Sequence, residues 1–132
     1  MTETYPLDDD TIAQLFTTLI WQAPHDPGLD TLGYTRSDIP VDEQDVLIGQ
    51  FREFCRLNDA DVRAFMAHTG RDMTDVAHDY ILTCNGHGAG FWDRCYCGTG
   101  GLDEPAERLT EACRHYGNVD LDRADDGSLY IL

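Results

Sequence analysis

The sequence predicts an α+β fold: a mostly helical single domain of four to five helices, closed by a short C-terminal antiparallel β-hairpin. Three observations carry that prediction. Apolar residues recur at helical spacing in five separate segments. Near the end, Asp125-Asp126-Gly127 separates two short apolar stretches, a hairpin signal. The length of 132 residues, with 42% hydrophobic content, suits one real core. Residues 1–132 are therefore read as a single domain, with no internal repeat and no low-complexity tract.

Taken in order, Asp8-Asp9-Asp10-Thr11 opens the first helix, because aspartates there accept from free N–H groups and face the positive end of the helix dipole. Ile12, Leu15, Phe16, Leu19 and Ile20 form its apolar stripe, and it stops before Pro24. Residues 23–40 hold three of the five prolines and two glycines and read as a loop. A loop of that length usually carries function or mobility. Asp42-Glu43-Gln44-Asp45 starts a second helix, with Leu47, Ile48, Phe51, Phe54 and Cys55 inward. Asn58 is placed as the cap of a third, built on Val62, Phe65 and Met66 and ended by Gly70.

The segment Asp72 to Cys84 fits two patterns. Met73, Val76, Ala77, Tyr80 and Ile81 follow helical spacing, while Tyr80 to Thr83 followed by Asn85-Gly86 also fits a strand entering a tight hairpin. The longer periodic match favours a helix ending at Asn85-Gly86. A fifth helix follows, capped by Asp103 with Pro105 in its first turn. Leu109, Ala112, Cys113 and Tyr116 face inward, and Gly117 ends it. Val119 to Asp122 and Ser128 to Ile131 flank the final turn.

Charge is the strongest compositional fact. Twenty-five acidic residues stand against nine basic ones, a net charge of −16; nineteen of the acids are aspartate, and every basic residue is arginine. Direct nucleic-acid binding needs the opposite sign, since cations displace the counterions of phosphate. An acidic membrane surface is disfavoured for the same reason, and no apolar run approaches the ~20 residues of a membrane span. A protein partner with a basic face is what such a field attracts. The plain alternative is that the acids serve solubility and helix capping. The acidic N-terminus lacks the basic and apolar regions of a signal peptide, so the chain is expected in the cytoplasm. The odd count of five cysteines, Cys55, Cys84, Cys95, Cys97 and Cys113, argues against a disulfide framework there.

The most unusual stretch is Asn85-Gly86-His87-Gly88-Ala89-Gly90-Phe91-Trp92-Asp93-Arg94. With the preceding His78 to Cys84, it resembles a block in an uncharacterised family of small bacteriophage proteins. In those, an N-G-H-G-A-G-F-W-D run precedes an L-T-x-A helix, a glycine and a terminal D-D-G hairpin. The matching features here are Leu109-Thr110-Glu111-Ala112, Gly117 and Asp125-Asp126-Gly127. The resemblance spans roughly residues 72–132. It implies a phage or prophage origin and a bacterial host cell, and it supplies no activity. Two features depart from the pattern: Cys84 replaces a basic residue, and Cys95-Tyr96-Cys97 lies outside it.

Three constellations could carry chemistry. Cys84, His87, Cys95 and Cys97 are four thiolate or imidazole groups within fourteen residues, of the kind that hold zinc, the one cofactor these residues suggest; the alternative is cysteines acting as small hydrophobes. His78, Asp79, His87 and Asp93 would form an acid–base centre if the glycine stretch folds back on the preceding helix. The alternative is scaffolding, in which glycines give unusual backbone angles while Phe91 and Trp92 pin the loop. As a binding loop, the same stretch offers Asn85, Gly86, His87, Gly88, Phe91, Trp92 and Arg94. Third, the aspartates could form a face that mimics nucleic acid and occupies a basic groove. The absence of a nucleophile elbow, a P-loop lysine or an H-E-x-x-H pair favours the non-enzymatic reading: an accessory protein that binds a host or phage protein, with a metal-dependent or acid–base enzyme and a zinc-stapled module as alternatives.

Overall fold

A computed structural model describes residues 5–23, 25–86, 90–91 and 103–131, with 103 and 104 in backbone only. It holds five helices, α1 (Asp9–Trp21), α2 (Val41–Leu57), α3 (Asp59–Thr69), α4 (Met73–Cys84) and α5 (Asp103–Tyr116), followed by β1 (Leu121–Arg123) and β2 (Leu129–Ile131). The strands pair antiparallel, Leu121 opposite Ile131 and Arg123 opposite Leu129. The predicted α+β architecture is what forms.

Helix α1 starts as its acids dictate. The Asp8 carboxylate accepts the Thr11 N–H at 2.8 Å, and Asp9 and Asp10 fill the first turn. Leu15, Phe16, Leu19 and Ile20 are buried. The ambiguous segment is helix α4, and its helical period has a physical cause: Val76, Ala77, Tyr80, Ile81 and Cys84 are all buried, whereas an alternating strand would have exposed half of them. Asp72 caps α4 by accepting the Asp75 N–H, and Asp75 returns the bond to the Asp72 N–H. Helices α1 and α4 pack against each other more extensively than any other pair. They start at the same end of the domain: the Asp72 charge reaches the Asp8 carboxyl, and farther along Thr18 meets His78.

One expectation changes. Asn58 stands at the start of α3 but its side chain does not cap it. It donates instead to the Phe54 carbonyl at 2.8 Å, closing α2. The two helices are separated by Asn58 alone, and the Phe54 carbonyl accepts both its backbone N–H, at 3.1 Å, and its side-chain amide. The 23–40 segment is the loop its prolines and glycines imply, and it is packed onto the core. Leu29 and Ile39 are buried, and a 3₁₀ turn forms over Arg36–Asp38. Gln44, read as part of an acidic helix start, is buried and holds this segment: its amide donates to the Ile39 carbonyl at 2.7 Å and accepts from Arg36 Nε at 2.7 Å. The Arg36 guanidinium lies 4.7 Å over the Phe16 ring.

The core is aromatic at its centre. Tyr80 lies 5.1 Å from Phe51 and 4.8 Å from Phe54, and Phe91 stacks on Phe54 at 5.9 Å. Helix α5 closes this side, tied to α3 by Arg108, whose Nη2 and Nε reach Asp61 at 2.7 and 2.9 Å. The hairpin turn centres on Asp125 and Asp126, with the Gly127 N–H returning to the Ala124 carbonyl at 3.0 Å. Gly127 has φ +88, a conformation that costs a side-chain-bearing residue about 1–2 kcal/mol. The hairpin is latched from outside: Arg123 pairs with Asp26, and the His25 N–H donates to Asp120.

Candidate functional site

The exit of α4 builds the described part of the glycine-rich stretch. Asn85 is the last cap of α4, and its amide clamps the chain before β1: Nδ2 donates to the Val119 carbonyl at 2.7 Å and Oδ1 accepts the Val119 N–H at 2.6 Å. Gly86 turns the chain at φ +64. Gly90 is buried against Thr83. A Cβ there would collide with the Thr83 hydroxyl and lie 3.2 Å from Thr83 Cα, so a close approach of two backbones demands the glycine. Phe91 follows, fully buried, with its ring 5.1 Å from Phe65 as well as on Phe54. Two of the proposed binding residues, Asn85 and Phe91, are thus engaged inside the fold. His87, Gly88, Trp92, Asp93, Arg94, Cys95 and Cys97 lie outside the described residues.

The neighbouring acid–base candidates diverge. Consecutive residues on a helix point about 100° apart. His78 faces α1, where its ring stacks on Trp21 at 5.8 Å and its Nδ1 lies 2.7 Å from the Thr18 hydroxyl. The Gln14 amide donates to that hydroxyl at 2.9 Å. The Thr18 hydroxyl thus links Gln14 and His78 in one hydrogen-bonded chain. Asp79 is 0% exposed and lies on the inner face of α4. His78 and Asp79 thus leave α4 in different directions.

Cys84, placed in the zinc set, is buried, and its thiol donates to the Cys113 carbonyl at 3.7 Å. Burial pushes the Cys113 thiol up, and the Cys84 side chain beside it adds to that; Cys55 is raised by burial too. Cys55 and Cys113, held protonated in this way, are poor nucleophiles. Among the described residues, no three His, Cys, Asp or Glu side chains gather as a metal set.

Two features escaped sequence reasoning. Thr83, which grips Phe91 and faces Gly90, has no local sequence signal, because its partners come seven and eight residues later. The other is a cleft of about 280 Å³ between α2 and the C-terminal segment. The buried Leu47 and Val119 line it together with Val46, Ile131, Tyr116, Glu43, Gln50 and Asn118. Glu43 Oε1 accepts the Ile131 N–H at 2.6 Å, which fixes the carboxylate beside β2. The sequence clue was Val46, an apolar residue on the polar side of α2, 61% exposed.

The acids are distributed over several helix starts. Asp8, Asp9, Asp10, Asp72 and Asp75 gather where α1 and α4 begin. Thr11, through its side chain and then its backbone N–H, holds the Asp8 carboxyl below its ordinary range, and Thr74 does the same for Asp72. Asp42 and Asp45 are exposed on α2. Arginines, by contrast, are drawn into internal pairs: Arg63 with Asp59, Arg108 with Asp61, Arg114 with Glu111 and Arg123 with Asp26. No helix among the described residues is long and apolar enough to cross a membrane. No protein-family model matches the chain, and no curated protein or solved structure is significantly similar to it.

Proposed function

We propose that this chain is a small acidic accessory protein of phage type. It binds a host or phage protein with a basic surface and offers carboxylates where that partner would otherwise hold phosphates. The observation that carries this reading is the contrast between the two signs of charge. Four arginines are engaged in ion pairs within the fold, while Asp9, Asp10, Asp42 and Asp45 face solvent in a chain of net charge −16. A field of that sign steers a cationic partner and repels nucleic acid. The phage-like block at His78 to Arg94 supports the setting of a bacterial cell.

The test is affinity capture from a bacterial lysate on the immobilised chain, followed by elution with salt or with duplex DNA. The expected result is retention of a nucleic-acid-binding protein that both eluents release, because exposed charges are screened within ~10 Å at 0.1 M salt. No retained protein at low salt, or a retained partner indifferent to both eluents, overturns the reading.

A further inference from the structure

We infer that the cleft between α2 and the C-terminal segment is the docking pocket for a single arginine side chain of the partner. This rests on the reading above and adds the point at which the partner is gripped.

At about 280 Å³ the cleft has room for one long side chain. Its apolar surface suits the methylene stem of such a side chain: Val46 is an exposed valine, and Ile131 and Val119 line the same cleft.

Charge selects the head group. Glu43 lines the cleft, and one bond from the Ile131 N–H orients its carboxylate without filling it, since a carboxylate accepts about four hydrogen bonds. Tyr116, which also lines the cleft, donates its hydroxyl at 3.0 Å to Glu53, a carboxylate outside the lining. No basic side chain lines the cleft among the described residues. The amide oxygens of Gln50 and Asn118 add neutral acceptors to the lining. Several acceptors in one lining match the planar, five-donor guanidinium better than the compact ammonium of lysine.

The experiment is chemical-shift mapping on the ¹⁵N-labelled full chain at low salt, with Nα-acetyl-arginine methylamide as the probe. The citrulline analogue, equal in shape and uncharged, is the second arm. With the arginine probe, shifts concentrate on the amides of Val46, Gln50, Asn118 and Ile131; with citrulline they largely vanish. Glu43→Gln keeps a carbonyl acceptor for the Ile131 N–H, so the hairpin amides hold their positions, while affinity for the probe falls about tenfold through loss of a charge-assisted bond. Asp30→Asn, an exposed change of equal charge away from the cleft, leaves affinity within about twofold. Equal shifts from citrulline, shifts spread evenly over the acidic surface, or equal weakening by Asp30→Asn each overturn the pocket. A basic partner captured in the salt-sensitive way but indifferent to Glu43→Gln overturns the pocket and leaves the broader reading standing. Arginine seated in the cleft with no basic partner captured supports the pocket and overturns the broader reading.

Discussion

The Thr83 hydroxyl accepts the Phe91 N–H at 3.0 Å, and the same side chain lies against the bare Cα of Gly90. One threonine in the last turn of α4 thus sets how the glycine-rich stretch rejoins the core. Gly90→Ala forces a methyl group into Thr83 and is expected to cost about 1–3 kcal/mol, the usual range for overpacking. Thr83→Ala removes that hydrogen bond and is expected to cost about 0.5–1.5 kcal/mol, the net worth of one such bond. The two changes disturb one contact, so the double variant should lose less than the sum. Urea unfolding of the four proteins in this cycle measures it, and strict additivity would show that the two residues act separately.

His78 is placed as a packing residue. His78→Ala removes the bond to Thr18, worth about 1 kcal/mol, and the stacking on Trp21, worth about 0.5–1.5 kcal/mol. The expected outcome is a loss of about 1–2 kcal/mol in stability, a change in Trp21 emission and no change in partner capture. A variant of native stability that no longer captures the partner would move His78 into the functional surface.

Tyr80 offers a test of the core. Among the described residues its enclosed hydroxyl has no full-strength partner; the Cys84 thiol beside it is a weak one. Tyr80→Phe is therefore expected to be neutral or to add up to about 1 kcal/mol, since it removes a buried polar group that gains little. Tyr80→Ala should lose about 3–5 kcal/mol by opening a cavity beside Phe51 and Phe54. Thermal denaturation of the pair decides it, and a Tyr80→Phe variant as damaged as Tyr80→Ala would mean the hydroxyl is held by a strong bond.

The carboxylates predict the response to pH. Asp8, Asp59, Asp72, Asp122 and Asp126 are all held below their ordinary value of 3.8, chiefly by hydrogen bonds to the charged form. A depressed carboxyl contributes stability that is fully present above its unfolded pKa and is lost as pH falls through the folded one. The domain should therefore keep its stability from neutral pH down to about pH 5 and lose it below about pH 4. At neutral pH, salt should raise the melting temperature, by an amount on the order of a few °C, because it screens the repulsion of a −16 chain. Calorimetry across pH and salt measures both, and a melting temperature that falls with added salt would show that attractive pairs dominate the surface.

The helices were legible because their period and their stops are local. Leu15, Phe16, Leu19 and Ile20 lie on one face of α1, and Gly70 and Gly117 follow α3 and α5. The α4 segment was legible only through its length, since Tyr80-Ile81-Leu82-Thr83 alone fits a strand equally well. What sequence could not show was tertiary reuse of polar side chains. Asn58 reads as a cap for the helix ahead and serves the helix behind. Gln44 reads as a solvated first turn and is buried under Arg36 and Ile39. The cleft joins Glu43 to Ile131, 88 residues apart, and no local pattern carries that pairing.

The pairing of α1 with α4 also sets an order of assembly. Thr18 and His78 are 60 residues apart, and contacts of such separation form late, because the loop between them must close first. Helices α2 and α3 can meet early across Asn58. Helix α1 leaves the ribosome first and waits, its Leu15 and Leu19 uncovered, until Val76 and Tyr80 have been made. A nascent chain halted before Met73 would carry that bare apolar ridge into a crowded cell, where holdase chaperones bind such ridges and aggregation begins.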